Sequence, residues 1–455
     1  MSEQIATRHT LVAERPTGAA PRPYRFPEVR RVTVGGGEVI GAHVPGRSLA
    51  WAKVVMESGA LHEPVGLDGL ARITCSLLDE GSLDRDADAF GLAIEALGAN
   101  WRLACGWETQ EVGLDLPADR LGAGLDLVAE AVRRPAFADA DVERFLADHV
   151  RSLKTSWAQP GTRAGLAFRR ALFGPDSRLG GLLGGTPDTA AALDADAIRR
   201  FHADRMTAPG TLAVVGDLDT IDLAALGRTV FAGATGTATR AELTGSAGTP
   251  STERAIVVDR PGAVQSVLRI GHTAPPRSTP DLIPIELFAD VLGGAFGSRL
   301  NHLLREVKGY TYGAHASFGH GRRSGSFTVS ASVHTEVTAA AVLDTIGEIR
   351  RMHADGVTPN ELAATRAHSL GSMPINLQTP GGIGGRLVEA IVHGLPDDHV
   401  TAEYAEILAT DPDSVDRAAH THLRPDELAV VVEGDATRII PELRAAGFEV
   451  TTSET

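Results

Sequence analysis

The chain is predicted to be α+β, built as two homologous α/β-sandwich halves, each a mainly antiparallel sheet covered by helices. Three observations carry this prediction. The segment RRFHADRMTAPGTLAVVGDLD, residues 199–219, returns as DRAAHTHLRPDELAVVVEGD, residues 416–435. Both read as a helix, a short Pro-containing turn and a buried LAVV strand, roughly two hundred residues apart, which marks an internal duplication. The elements ahead of each copy follow one order. The composition, 43% hydrophobic and 22% charged in 455 residues, is that of a globular chain long enough to bury large cores.

Taken in order, residues 1–25 read as a flexible arm, with Glu3, Arg8, Glu14 and Arg15 ahead of a Pro-rich stretch from Pro16. They hold no apolar h-region, so no Sec-type signal is expected. An N-terminal domain follows over 26–231. It has strands within 29–58, where VGGGEV at 34–39 reads as a hairpin turn, then helices at about 66–80 and 87–97, strands at about 100–116, and a helix at about 118–133. Residues 232–252 are small and polar with no periodicity, and read as a linker. The C-terminal domain, 253–455, repeats the plan: strands within 255–272, helices at about 280–292 and 298–308, strands at about 311–333, and a helix at about 337–353.

The net charge of −15 is spread without a long basic run, which argues against a nucleic-acid partner. No stretch is long and apolar enough to span a bilayer. Cys75 and Cys105 are the only cysteines, too few for a disulfide framework, so a reducing, cytoplasmic setting is expected.

The segment LGGAFGSRLNHLLREVKGYTYG, residues 292–313, is the richest in chemistry. Its glycines at 293–297 open a loop, Leu300, Leu303 and Leu304 form one helical stripe, Gly309 stops the helix, and Tyr310 to Phe318 reads as a strand. A helix end followed at once by a strand can aim the Arg305 guanidinium and the Tyr312 phenol at one small volume. A peptide carbonyl or a developing oxyanion requires such a pair of donors.

This arrangement resembles the C-terminal half of the insulinase/pitrilysin-type metallopeptidases, the inverzincins. These carry a Gly-rich turn, an L-R-E-x-x-G helix end and a tyrosine seven residues after the arginine. The resemblance covers about 26–450 and implies half of a clamshell whose inner faces enclose a substrate chamber. It also implies an H-x-x-E-H zinc helix in the first half. The equivalent segment here is GLARITCSLLDEG, residues 69–81, with Arg72, Cys75 and Ser76 where His, Glu and His would stand. They still share one helical face. By register the third ligand, a glutamate, falls at Ser152 within DVERFLADHVRSLKT, and the acidic residue two turns earlier falls at Phe145. This chain is therefore expected to bind no metal. A substitute set of Cys75 with His149, Asp148 or Glu143 starts poorly, with one soft ligand beside an arginine.

The resemblance implies a non-catalytic, substrate-binding subunit of a heterodimeric zinc metallopeptidase, inactive alone. The partner would be a homologous H-x-x-E-H-bearing chain that holds the zinc, and the substrate a peptide. Arg305 would bind the substrate carbonyl or the anionic tetrahedral oxygen, and the Tyr312 hydroxyl would donate a second hydrogen bond. The alternative is an inactive structural member of the same superfamily. An independent enzyme using Cys75 as nucleophile needs a general base that no local pattern supplies.

The strand at 100–116 occupies the place where the family adds a peptide strand to a sheet edge, and Trp101 and Trp107 either line that channel or serve as packing residues. TPGGIGG, residues 379–385, lacks phosphate-loop spacing and corresponds to a flexible bend in the family. His302 with Glu306, and His315, His320 and His334, have no companion spacing of a known metal site. His420 and His422 show no partner in sequence.

Overall fold

The computed structural model describes residues 23–245 and 247–453, so residues 1–22 of the expected arm lie outside it. Two six-stranded sheets organise the chain. The first contains β1 (Val29–Val34), β2 (Gly37–His43), β3 (Leu49–Met56), β4 (Asn100–Cys105), β5 (Gln110–Pro117) and β6 (Thr211–Gly216), in the order β1-β2-β6-β3-β5-β4. The second contains β7 (Arg254–Asp259), β8 (Gln265–Ala274), β9 (Thr311–His320), β10 (Gly325–His334), β11 (Ala429–Gly434) and β12 (Glu449–Ser453), in the order β12-β7-β11-β8-β10-β9.

Five of the six strands, from β2 to the edge strand β4 and from β7 to the edge strand β9, repeat with the same directions. β6 lies parallel to β2 and antiparallel to β3, as β11 lies parallel to β7 and antiparallel to β8. Only the strands at the opposite edges differ: β1 joins antiparallel and β12 parallel. The β1–β2 hairpin turns at Gly35 and Gly36, with φ of 60° and 79°, the left-handed pair that a type I′ turn needs and VGGGEV predicts. β4 and β9 are the matching free edges.

The duplicated strands β6 and β11 are buried on both faces, and each second face is closed by the other half. Leu212 and Val214 point into one core with Val54 and Leu114, while Ala213 and Val215 point the opposite way. There the helix Pro380–His393 of the second half lays Ile383, Leu387 and Val388 on Ile40, Trp51 and Val215. In return the helix Thr162–Phe173 of the first half lays Ala164, Ala167, Phe168 and Leu172 on Val258, Val267, Ala429 and Val431 of the second sheet. The buried Glu433 on β11 ties that helix down. Its Oε2 accepts from the Gly161 and Ala164 N–H groups at 2.8 and 3.2 Å, where the helix offers no capping side chain of its own. Arg322, nearly buried, adds a two-pronged pair to Glu57 across the halves, both contacts at 2.6 Å. Residues 232–252 carry no helix or strand among those described, yet the halves they connect are one packed body.

Two local expectations need correction. The Gly-rich run at 379–385 is no bend but the start of the Pro380–His393 helix, with Thr379 accepting from the Gly382 N–H at 3.1 Å. Gly384 answers to packing, since a Cβ there would lie 2.5 Å from the Trp51 ring. The helix expected at 66–80 runs only over Leu70–Ser76, followed by a 3₁₀ turn at Leu77–Asp79. Gly66 and Gly69, with φ of 85° and 100°, hold the chain out of the helical region before it. No helix among the described residues is long and apolar enough to cross a membrane.

The exchange makes a concrete prediction. Phe168→Ala removes a first-half ring from the second-half core and should cost about 3–5 kcal/mol. Both sheets should still unfold in a single denaturant transition. Two separated transitions, with only one sheet destabilised, would show the halves to be independent.

Candidate functional site

The segment around Arg305 is built as the sequence predicts, with two irregularities. The helix Leu282–Ala289 continues through a π-helical turn at Asp290–Gly294, and a second π-helical stretch, Asn301–Val307, carries Arg305. Gly293 permits the first, since a Cβ there would lie 2.6 Å from Ala316 on β9. Gly309, at φ 66°, then turns the chain into β9 as expected.

Buried Asn301 joins these pieces and was not foreseen. Its Nδ2 donates to Ser298 Oγ at 3.0 Å and to the Ala295 carbonyl at 3.3 Å, while its Oδ1 accepts from the Ala314 N–H at 2.9 Å. A lone asparagine inside a leucine-striped helix gives little sequence signal, because only the fold brings β9 alongside it.

Tyr312 sits on a β-bulge. Between the pairs Ala331–Ala314 and Val333–Thr311, Tyr312 and Gly313 face Ser332 alone. Such an extra residue re-aims a side chain at a sheet edge. Thr311 fixes the bulge, its hydroxyl accepting from the Gly313 N–H at 3.1 Å and donating to the Gly313 carbonyl at 2.8 Å. As a result Tyr312 is 92% exposed.

Arg305 and Tyr312 line one open hollow of about 620 Å³ on the second half, together with Phe296, Arg269, His315 and Ser332. The Arg305 guanidinium lies 4.0 Å from the centre of the Phe296 ring, whose other face is open to solvent. Its Nε donates to Glu306 at 2.9 Å, but that carboxylate is largely exposed, and such a pair is worth only about 0–1 kcal/mol. A substrate oxygen can displace it. Arg269, from β8, adds a second guanidinium to the hollow.

The first half offers the opposite picture. Glu63 anchors the Leu70–Ser76 helix, its carboxylate accepting from the Gly69 and Ala71 N–H groups at 3.1 and 2.8 Å and pairing with Arg178 Nε at 2.6 Å. Burial pushes its pKa up to about 7 against the pull of Arg178. Beyond this anchor the expected ligand positions diverge. Arg72 is exposed, Cys75 buried and Ser76 half-buried. Ser152 is exposed on the helix Asp139–Ala158, and Phe145 stacks on His149 with ring centres 6.3 Å apart. The Cys75 thiol donates to the Ala104 carbonyl at 3.5 Å, and burial, helped by Glu111 and Asp79, pushes its pKa up to about 12. A neutral thiol is neither a zinc ligand nor a nucleophile.

These residues do not fit a zinc ion. Burial lowers the His149 pKa, a hydrogen bond to the Gly184 backbone opposes this, and the positive charge of Arg72 lowers it further. Glu143 and Asp148 are exposed, and Asp148 pairs with Arg151, so no substitute set forms with Cys75. Among the described residues one trio of ligand-type side chains converges, His43, Asp217 and Asp219. There His43 Nδ1 is already taken by the Leu218 N–H at 3.0 Å.

The tryptophans separate. Trp101, on the edge strand β4, turns inward and meets Phe90 edge-on at 5.4 Å. Trp107, in the turn after β4, stacks beneath Arg169 and Arg178 at 4.3 and 5.0 Å, and lines a space between the halves with His320 and Val392. Some histidines left without partners in sequence find them in the fold. His422 Nε2 meets Asp281 at 2.7 Å, and His420 meets the Asp416 carbonyl at 2.7 Å.

Comparison with known proteins places this geometry. The model for the insulinase peptidases, family M16, matches residues 39–168, and the model described as the peptidase M16 inactive domain matches 192–368. Together they span more than half of the chain. The chain belongs to the insulinase family. Similar proteins include an uncharacterized zinc protease of Mycobacterium leprae, 26% identical over 414 residues that cover 86% of this chain and 91% of that protein. Another, from Streptomyces coelicolor, is 24% identical over 415 residues, covering 89% of each. In fold, the chain matches the peptidase M16 inactive domain of Pseudomonas fluorescens with a TM-score of 0.83, at 22% identity over 90% of this chain and 98% of that one. It also matches a protease of Helicobacter pylori with a TM-score of 0.81, at 15% identity over 90% of this chain and all of that one.

Within the insulinase family this chain is of the non-catalytic type. After chelation and dialysis it should therefore retain zinc no more tightly than an accidental surface site does. Stoichiometric, chelator-resistant zinc by metal analysis would contradict the donor chemistry described here.

Proposed function

We propose that this chain is the substrate-binding, non-catalytic subunit of a two-chain zinc metallopeptidase, and that Arg305 and Tyr312 act on a peptide held at the zinc of a homologous, H-x-x-E-H-bearing partner. One observation supports the reading: no H-x-x-E-H occurs in the sequence, while the second half has an open hollow lined by both Arg305 and Tyr312. Arg305 binds the carbonyl oxygen of the bond to be cut and holds it more strongly as negative charge develops there. The Tyr312 hydroxyl, free and exposed on its bulge, donates the second hydrogen bond. Phe296 holds the guanidinium flat, so a substrate oxygen meets its edge, where the donors lie.

The free edge of β4 offers a place for an extended peptide to add as a strand. Trp101 faces inward and takes no part in it, whereas Trp107 stands near the end of that edge. The two cysteines, both unpaired, suit a reducing compartment such as the cytoplasm.

Coexpression with an H-x-x-E-H homologue tests the reading directly. Peptide cleavage should appear only in the pair. Arg305→Ala or Tyr312→Phe should lower turnover about a hundredfold to a thousandfold while copurification is unchanged. Stable copurification without zinc-dependent cleavage would favour a scaffold instead.

A further inference from the structure

The second half contains a cavity of about 370 Å³ between the Leu282–Gly294 segment and the helix Pro359–Asn376. By element order this space corresponds to the one in the first half where the family's zinc helix faces the later helix Asp139–Ala158. Its chemistry is of its own kind. Glu286 and Asp290 stand one turn apart on one wall, and Ser369, Ser372 and Asn376 present polar groups on the other. Ile283, Leu287 and Ile407 give it apolar flanks.

Glu286 and Asp290 make no ion pair of their own, although Arg386 and His368 also line the space and His368 and His315 act on Asp290. Arg277, whose field reaches Glu286, is committed to Glu389 at 2.8 Å and to Glu403. Arg386 is likewise committed to Glu389 and Glu403. Among the described residues neither Glu286 nor Asp290 has an ion-pair partner. Glu286 reaches solvent through the mouth of this concave wall, but desolvation by the protein around it, helped by the charges of Glu403, Glu389 and Asp290, pushes its carboxyl up to about 7, with Arg277 opposing. Burial likewise raises the Asp290 carboxyl.

A bare metal ion does not suit the site. Ligand atoms close enough for one occur, among the described residues, at His43, Asp217 and Asp219, and not at Glu286, Asp290 and His368. Spaced acceptors with apolar flanks suit a longer cation, an alkyl stem ending in an ammonium or a guanidinium. The volume is at the lower end of the range for small-ligand pockets, enough for one side chain. Gly294 and Ala295 line both this cavity and the Arg305/Tyr312 hollow, so the two spaces share a wall.

We propose that this cavity receives a lysine or arginine side chain of the peptide bound at the Arg305/Tyr312 hollow, and so gives the complex a preference for basic segments. Glu286 and Asp290 are its specificity-determining residues. The proposal rests on the reading of the hollow as the peptide site.

The test uses the full chain alone, which needs no partner and cuts nothing. Calorimetric titration compares a blocked pentapeptide, arginine flanked by alanines, with its citrulline counterpart, which keeps the shape and loses the charge. The arginine peptide should bind about tenfold or more tighter, as charge-assisted hydrogen bonds imply. Glu286→Gln with Asp290→Asn should erase that ratio while leaving the citrulline peptide unaffected. Equal affinities, a ratio that survives the double substitution, or no binding of the arginine peptide at millimolar concentration would overturn the proposal. Arg305→Ala should weaken both peptides alike. Should it weaken neither while the arginine-to-citrulline ratio persists, the cavity stands as a basic-ligand pocket and the reading of the hollow falls.

Discussion

The fold depends on the two-sided burial of β6 and β11. A strand with Leu212 and Val214 on one side and Ala213 and Val215 on the other cannot leave either face to water, and in each sheet the second face is covered by a helix from the other half. The exchanged helices, Thr162–Phe173 and Pro380–His393, resolve this reciprocally. A body held in this way has its two sheets in a fixed relation, and the free edges β4 and β9 with it. The identities of Arg72 and Ser76 matter little to this frame. The Leu70–Ser76 helix is held by buried Leu70, Ala71, Ile73 and Thr74 and by the Glu63 carboxylate at its start, and no packing role falls to Arg72, which is exposed.

The same frame explains how an exposed tyrosine can be a positioned one. Tyr312 makes few contacts, but its backbone is determined on three sides: by the ladder to β10, by the Thr311 bulge bonds, and by Asn301 reaching Ala314 from the π-helical stretch. Preorganisation resides in the main chain, and the side chain stays free to meet a ligand. Arg305 is treated differently. Its long stem would lose much entropy on binding, and Phe296 together with the weak Glu306 pair removes part of that freedom beforehand.

Much of this was legible in sequence where the signal is local. The paired LAVV strands, the Leu300, Leu303 and Leu304 stripe, the Gly309 stop and the Gly35–Gly36 turn are short-range patterns, and each stands where it was read. The helix exchange was not legible, because the alternating burial of β6 says that a second layer exists and nothing about which segment supplies it. The glycines at 379–385 misled for a related reason. Glycine near a Pro signals a bend by propensity, whereas here Trp51, far away in sequence, requires the missing side chain at Gly384. The π turns and the bulge were invisible because each depends on a neighbour, Ala316 or Ser332, that only tertiary structure brings near.

The duplication frames the division of chemistry between the halves. Two spaces related by element order have acquired opposite electrostatics. In the first, burial holds His149 toward the neutral form and the positive charge of Arg72 adds to it. In the second, Glu286 and Asp290 make no ion pair of their own among the described residues, Arg277 and Arg386 being taken by Glu389 and Glu403. A carboxylate set in a concave wall is drawn toward its neutral form, and either a proton or a bound cation relieves that cost.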